Sequence, residues 1–228
     1  GGAVDLARID PARIGRIAPA QREDRLQVNL DSVPVTLIGG LVAVEDRSFH
    51  RHWGVSLSGI ARAAWANLRA GRIVQGGSTL TQQLVKNLFL SSDRTLWRKA
   101  NEAVMAVLLE LRHDKRTILT AYLNEVFLAQ DGRRAIHGFG LGARYFFDRP
   151  LSELSLGQQA LLVGMVQAPS AYPPRRHPER ARQRRDQVLA VMADTGVIPD
   201  DEARAARRAP LGVTAAPDTA RYRYPAFM

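Results

Sequence analysis

The stretch Leu41-Val42-Ala43-Val44-Glu45-Asp46-Arg47-Ser48-Phe49-His50-Arg51-His52-Trp53-Gly54 decides how the rest of the chain is read. An apolar run of the kind that buries itself in a helical core ends abruptly in two adjacent carboxylates. Two histidines, two aromatics and a glycine follow. Burial raises a carboxyl pKa, and a carboxylate in a partly dry pocket is suited to accept a proton as a general base. The same pair also fits a solvated helix end, so its meaning depends on what the chain places around it.

The 228 residues suffice for one sizeable core, or for a main lobe with a smaller one. With 46% hydrophobic and 24% charged residues the chain is expected to fold rather than stay disordered. Cysteine is absent, which excludes a disulfide framework and a thiolate metal site. The net charge of +10 rests on 29 Arg and only 3 Lys, namely Lys86, Lys99 and Lys115. Such a balance favours anionic partners: nucleic acid, a phosphorylated substrate or an acidic membrane surface. No run reaches the ~18 consecutive apolar residues of a spanning helix. The start, Gly1-Gly2-Ala3, lacks the features of a signal peptide. The chain reads as a soluble fragment, with any anchor lying outside it.

Upstream of the opening stretch, residues 1–36 alternate short apolar clusters with Pro and charge, including Leu26-Gln27-Val28-Asn29-Leu30, and predict loop with one or two short strands. From Thr36 onward helical patterning dominates. Residues 56–70 carry Leu57, Ile60, Ala61, Ala64, Trp65 and Leu68 on one stripe, which fits either a core-facing surface helix or a face dipping into a membrane interface. The glycines of residues 71–77 break that pattern. A helix over 79–90 follows, with Thr79-Leu80-Thr81-Gln82 fitting a capping box. Thr79, Gln83, Lys86 and Asn87 fall on its polar stripe, opposite Leu80, Leu84, Val85 and Leu88. Two glycines and two hydroxyls before free helix N–H groups make a ready phosphate site, and Lys86 lies two turns along the same side.

The next helix, over 95–112, has Val104, Val107, Leu108 and Leu111 as its apolar row, and Arg98 one turn before Glu102. That pair is either an exposed ion pair of little weight or a second carboxylate beside cations suited to gripping an oxyanion. A helix begins at Lys115, with Ile118, Leu119 and Tyr122 at core spacing. It is followed by a loop at 130–134 and by the segment from His137 to Ala143, whose glycines read as close backbone packing. Ser155-Leu156-Gly157-Gln158 is a second capping box opening a nearly all-apolar helix. An Arg-rich helix over 178–195, a short one over 199–208 and a Pro/Ala-rich tail complete the chain.

Four motifs now stand in order: Glu45-Asp46-x-x-Phe49-x-x-His52-x-Gly54, Gly76-x-Ser78-Thr79-x-Thr81-Gln82-Gln83, Arg98-Lys99-x-x-Glu102, and Lys115-x-x-Ile118-Leu119-x-x-Tyr122-Leu123-Asn124. Together they resemble the peptidoglycan glycosyltransferase domain of class A, bifunctional penicillin-binding proteins, over roughly residues 36–170. Residues 75–91 and the ending Tyr224-Pro225-Ala226-Phe227-Met228 look most like the Gram-negative 1b-type branch. Any one motif is weak; four in order are specific.

The resemblance implies a mainly α, lysozyme-like fold with a large lobe and a smaller membrane-associated jaw. It divides the chain into a lead-in segment at 1–35, a glycosyltransferase domain at 36–208 with the jaw near 55–77, and a linker at 209–228 toward a transpeptidase domain. The implied reaction polymerises lipid II into β-1,4-linked glycan and releases undecaprenyl pyrophosphate with inversion. Carried over residue by residue, Glu45 is the base for the acceptor 4-hydroxyl, and Glu102 assists on the donor side. Ser78, Thr79, Gln83, Lys86, Asn87, Arg98 and Lys99 line the donor site, while Asp46, Phe49 and His52 position Glu45 and shape the cleft. Gln82, Lys115 and Asn124 complete the expected substrate-binding set. No metal ligand is assigned; a divalent cation (Mg or Mn) travelling with the diphosphate is the one cofactor allowed for. The implied partners are lipid II, the growing glycan chain, the inner-membrane surface at its periplasmic face, and cell-wall synthesis proteins.

The chemistry asks for these residue types independently. A sugar hydroxyl is a poor nucleophile and needs a base aimed at it, while a departing diphosphate gathers charge that cations stabilise. An inverting displacement separates the two centres across the anomeric carbon. The chain departs from the pattern at His137-Gly138, where many relatives carry Arg, a role His137 fills only when protonated unless Arg134 substitutes. No Ser-x-x-Lys occurs, so penicillin binding by this chain is not expected. The nearest rival is a lysozyme-like muramidase or lytic transglycosylase, and a more distant one is a basic nucleic-acid-binding helical module using Arg175, Arg176 and the 180–185 cluster. His50-x-His52 lacks the carboxylate-rich shell of a metal pair.

Overall fold

The apolar run that ends in the acidic pair is the helix α1 (Val35–Glu45) in the computed structural model, which describes residues 22–72, 76–89, 95–132 and 134–215. Leu37, Gly40, Leu41 and Ala43 are its buried face. At Asp46 the backbone leaves the helical region (φ −156°, ψ 77°) while its N–H still bonds Val42 O at 2.9 Å, so the helix stops between the two carboxylates. α1 rests on α7 (Leu156–Val166) and α8 (Pro178–Asp194), the most closely packed helix pair of the core. The approach is tight because Gly40 faces Met192, whose Sδ would lie 2.9 Å from a Cβ there. The Ser155–Gln158 capping box that opens α7 forms as expected, and residues from Ala160 to Met165 are buried without interruption.

α9 (Asp200–Arg208) closes this side and is tied to α8 by one buried cation. Arg185 is fully buried and donates to Ala209 O and Arg207 O, each at 2.7 Å, and to Asp186. Arg175 likewise donates to Thr214 O and Tyr145 O and lies 4.3 Å over the Tyr145 ring. Two members of the basic set that a nucleic-acid module would turn toward phosphates are therefore bonded inside the protein.

A small sheet joins the lead-in strand to the middle of the chain. β1 (Arg22–Arg25) runs parallel to β3 (Arg134–His137), and β2 (Phe127–Asp131) pairs antiparallel to β3. The expected loop at 130–134 is the turn of this hairpin, with Gly132 at φ 56°. Strands of four and five residues are too short for a period of two to show in sequence. The strand of the lead-in lies before the cluster from Leu26 to Leu30. That cluster is held instead by Asn124, whose Oδ1 accepts from Val28 N–H (2.8 Å) and whose Nδ2 donates to Val28 O (3.0 Å). α6 (Phe139–Phe147) follows, its glycines packed as expected: a Cβ at Gly140 would meet Leu26 O at 2.6 Å.

The remaining helices carry the unexpected feature. α3 (Leu80–Phe89) packs against α4 (Leu96–Arg112) and α5 (Lys115–Glu125). On α3, Leu80, Leu84 and Val85 are buried as expected, but Leu88 is exposed. α4 buries Glu102, Ala106 and Glu110 and exposes Val104, Leu108 and Leu111 of its apolar row. α2 (Leu57–Ala70) does the same: Gly59 and Ala63 are its buried residues, and its whole apolar stripe faces out, with Leu57 79%, Trp65 68% and Leu68 75% exposed. Burying a side chain of this size stabilises by about 1.5–3 kcal/mol. Several left uncovered on two helices therefore mark a surface with a function, not a core.

Gly54 shows what fixes the chain after the acidic pair. It sits at φ 84°, and a Cβ would lie 2.5 Å from the backbone carbon of Ala106 in α4. Gly71, the left-handed cap of α2 at φ 63°, faces open space. In urea unfolding, Gly71→Ala is expected to cost about 1 kcal/mol, the strain of the left-handed region alone. Gly54→Ala is expected to cost at least about twice as much, because the backbone of α4 cannot yield as a side chain would.

Candidate active site around the start of α3

The site is assembled on the first turns of α3, and the sequence sets its start twice over. Thr79 and Gln82 form the reciprocal box expected of them: Gln82 N–H donates to Thr79 Oγ1 and Thr79 N–H to Gln82 Oε1, both at 3.1 Å. Thr79 Oγ1 also donates to Gly54 O at 2.6 Å. The third donor, Leu80 N–H, goes to Asp46 Oδ2 at 3.1 Å. A carboxylate belongs at a helix N-terminus, where free N–H groups and the dipole favour negative charge. Here the anion is the protein's own. The expected capture of phosphate by these N–H groups is corrected accordingly, since they are already bonded and Thr79 and Gln82 are buried.

Asp46 Oδ2 also meets His52 Nε2 at 2.9 Å. Phe49, fully buried, presents its ring edge-on to both His50 and His52. Behind His52 lies a carboxylate that sequence reading passed over. Glu110 accepts from Thr81 Oγ1 at 2.6 Å and from Lys115 Nζ, and its Oε1 lies 3.7 Å from His52 Nδ1. Lys115 also donates to His52 O at 2.7 Å and sits 4.6 Å over the Phe49 ring. Asp46, Phe49, His52 and Lys115 thus form one interior scaffold.

Glu45 stands apart from that scaffold. Its Oε2 accepts from Gln83 Nε2 at 3.0 Å, and Gln83 Oε1 accepts from the Tyr122 hydroxyl at 2.9 Å. Burial raises the Glu45 pKa above its ordinary value of 4.5; the Gln83 bond and the Arg184 charge oppose the rise, and Asp46 adds to it. A carboxyl whose pKa burial raises holds a proton more readily than an ordinary glutamate, which suits it to accept one.

A second centre forms where α4 passes Ser78, two residues before α3. Glu102 is buried; Arg98 Nη1 donates to its Oε2 at 2.8 Å and Lys99 Nζ to its Oε1. Lys99 Nζ also donates to Ser78 Oγ at 2.7 Å. The expected alternative of an exposed pair of little weight is therefore set aside for Glu102. Arg98 Nε is buried with no partner among the described residues, a donor left open at this cluster. Ser78 bonds Lys99 of the Glu102 cluster and Gln83 bonds Glu45, so the start of α3 is in touch with both acidic centres.

Residues 10–193 match the family model described as Transglycosylase. This chain belongs to the transglycosylase family. It is 52% identical over 206 residues to penicillin-binding protein 1B of Vibrio cholerae, covering 90% of this chain and 26% of that protein. Against penicillin-binding protein 1B of Escherichia coli the identity is 51% over 206 residues, covering 90% and 24%. The crystal structure of penicillin-binding protein 1A from Haemophilus influenzae superposes with a TM-score of 0.51 at 23% identity, over 85% of this chain and 19% of that one, a likeness of fold. The chain spans about a quarter of the length of the curated relatives named here. The resemblance carried by the four motifs thus holds for both family and 1B-type branch.

Within this transglycosylase, the sequence-predicted residues divide by position. Glu45 is bonded to Gln83, and Glu102 is clustered with Arg98, Lys99 and Ser78. Lys86 and Asn87 are exposed on the polar stripe of α3, and Lys86 has no bonded partner among the described residues. Thr79 and Gln82 cap α3, and Asn124 clasps the lead-in, so all three side chains are bonded within the protein. Both ends of the Gln83 amide are likewise engaged within the protein. His137 Nδ1 donates to Glu125 O at 3.0 Å, and the side chain of Arg134 lies outside the described residues. Glu110, Tyr122 and Arg184 were missed as site residues; only the i, i+4, i+8 spacing of Glu102, Ala106 and Glu110 could have signalled the first.

A divalent cation does not fit a protein-held position here. Both oxygens of Glu102 accept from cationic side chains, and no group of three or more His, Asp or Glu residues converges among the described residues.

The raised Glu45 pKa has a stability consequence with a definite sign. Between 4.5 and its higher folded value the native state holds a proton that the unfolded state has lost. That stabilisation is complete at lower pH and lost as pH rises through the folded value. Glu45→Gln, which keeps an acceptor for Gln83, is therefore expected to raise Tm by a few degrees at about pH 7 and to lose that advantage near pH 4. Scanning calorimetry at the two pH values checks this.

Proposed function

We propose that this chain polymerises lipid II into β-1,4-linked glycan strands, with Glu45 as base. The acceptor 4-hydroxyl gives its proton to Glu45 as its oxygen bonds the donor anomeric carbon. The bond from that carbon to the diphosphate oxygen breaks, and undecaprenyl pyrophosphate departs with inversion. Arg98 and Lys99, with Lys86 exposed on the same helix face as Gln83, meet the charge that gathers on the leaving group. Glu102 holds Arg98 and Lys99 in place.

The observation that carries this reading is the pairing of a proton-exchanging carboxylate with a separate cationic cluster retaining an open Arg98 Nε. A raised carboxyl pKa by itself also suits the acid of a glycan-cleaving enzyme. Such an enzyme releases an uncharged sugar hydroxyl and has no use for the cations, which therefore favour synthesis over cleavage.

The exposed apolar faces of α2 and α4 support the rest of the proposal: a large lobe of lysozyme-like type, a jaw built near α2, and seating at the periplasmic face of the bacterial inner membrane. No helix of the described residues is long and apolar enough to cross a membrane. Trp65, Trp97, Leu57, Leu68, Leu96 and Leu111 are instead side chains that an interface would cover. This arrangement would bring the site to a substrate that carries a polyprenyl tail.

Incubation with lipid II and with finished glycan separates the two activities. Polymer from the first and no fragments from the second are expected. Glu45→Gln should lower polymerisation by about 10²- to 10⁴-fold, the range for loss of a general base; near-normal turnover would remove Glu45 from that role. Trp65→Asp with Leu68→Asp should reduce binding to anionic liposomes without changing Tm, and unchanged binding would contradict the proposed membrane face.

A further inference from the structure

The Tyr122 hydroxyl is part of the same hydrogen-bonded chain as Glu45, yet no step above uses it. Tyr122 is buried in α5 and donates to Gln83 Oε1 at 2.9 Å; Gln83 Nε2 donates to Glu45 Oε2 at 3.0 Å. A core position asks only for the ring, and Phe would fill it. The hydroxyl must find a partner once buried, and it meets the one side chain that touches the base.

A glutamine amide has two ends of like shape and opposite polarity. Facing a carboxylate, the NH2 end is favoured; facing a protonated carboxyl, the C=O end is accepted as well. By donating to Gln83 Oε1, Tyr122 favours the orientation that an ionised Glu45 requires, and it polarises the amide so that its N–H is a stronger donor. We propose that Tyr122 is a positioning residue that sets, through Gln83, the orientation and basicity of Glu45.

This inference rests on the reading of Glu45 as the base. It also designates the reacting atom: Oε2 is held by the amide, and Oε1, which accepts no hydrogen bond from the described residues, is left to take the acceptor proton. The groups facing Glu45 are few. Asp46, next in the chain, is engaged by His52 and Leu80 N–H, and Arg184 from α8 acts through its charge while its Nε donates to Gly164 O. Gln83 from α3 supplies the one hydrogen bond to the carboxylate among the described residues, backed by Tyr122 from α5.

The test is the pH dependence of kcat and KM for lipid II polymerisation by the chain and its variants. Tyr122→Phe should move the acid limb up by about half a pH unit and lower kcat below neutral pH with KM unchanged. Gln83→Leu should move the limb by about one to two units, the worth of a hydrogen bond to an ionised group. The double variant should shift no further than Gln83→Leu alone, because Tyr122 acts through that amide. If Tyr122→Phe folds poorly, 3-fluorotyrosine at position 122 keeps the shape with a stronger donor and should move the limb down. An acid limb unmoved by either change, or shifts that add in the double variant, would overturn the proposal even if Tm falls. Full activity in Glu45→Gln would instead overturn the underlying assignment of the base, whatever the Tyr122 variants do.

Discussion

The carboxylate of Asp46 is the constraint on which the site depends. One of its oxygens takes both the Leu80 N–H at the start of α3 and the ring of His52. It therefore joins the end of α1, the irregular segment after it and the helix that carries Gln83. Glu45 precedes Asp46 by one residue, so fixing Asp46 fixes where the end of α1 meets the second turn of α3. A buried carboxylate without partners would carry a heavy desolvation penalty, and the helix N-terminus offsets it with a donor and a favourable dipole. The two adjacent acids are thus divided by geometry. Asp46 is engaged within the structure, and Glu45 keeps one oxygen that accepts no hydrogen bond from the described residues.

The inverted amphipathicity of α4 follows from the same economy of space. Glu102 and Glu110 both lie on its inner face, two turns apart, each bonded to cationic side chains. Glu102 gathers Arg98 and Lys99 beside Ser78, while Glu110 braces Thr81, Lys115 and the back of His52. With polar groups required inside, the apolar residues of α4 are left on the outer face, and those of α2 likewise. The catalytic proposal and the membrane proposal are therefore two sides of one helix arrangement, linked at Gly54, where the chain lies flat against the backbone of Ala106.

Much of this was legible in the sequence where a local rule had a local cause. The helix ending at Glu45, the Thr79–Gln82 and Ser155–Gln158 boxes, and the tight glycines around α6 all follow from short-range chemistry. The four motifs gave the family, and the transglycosylase match and the 1B-type relatives bear that out. Periodicity alone does not say which way an apolar row faces: the stripe of α2, open between core and membrane interface in the sequence, is exposed, and so are Val104, Leu108 and Leu111. The free N–H groups of α3 also looked open, because a cap donated from 34 residues away leaves no sequence trace. The clasp of Asn124 on Val28, 96 residues earlier, likewise leaves no trace in the sequence. Tyr122 read as core because its ring spacing says nothing of its hydroxyl.

Burial sets the Glu45 carboxyl above its ordinary pKa, and its place at the end of α1 beside Gln83 makes it the proposed base. The direct measurement is a ¹³C NMR titration of the glutamate side-chain carboxyls, with Glu45→Gln assigning the resonance. A Glu45 carboxyl that titrates clearly above its ordinary value of 4.5, as burial demands, is the predicted result. Titration at or below that value would contradict the assignment of Glu45 as the poised base.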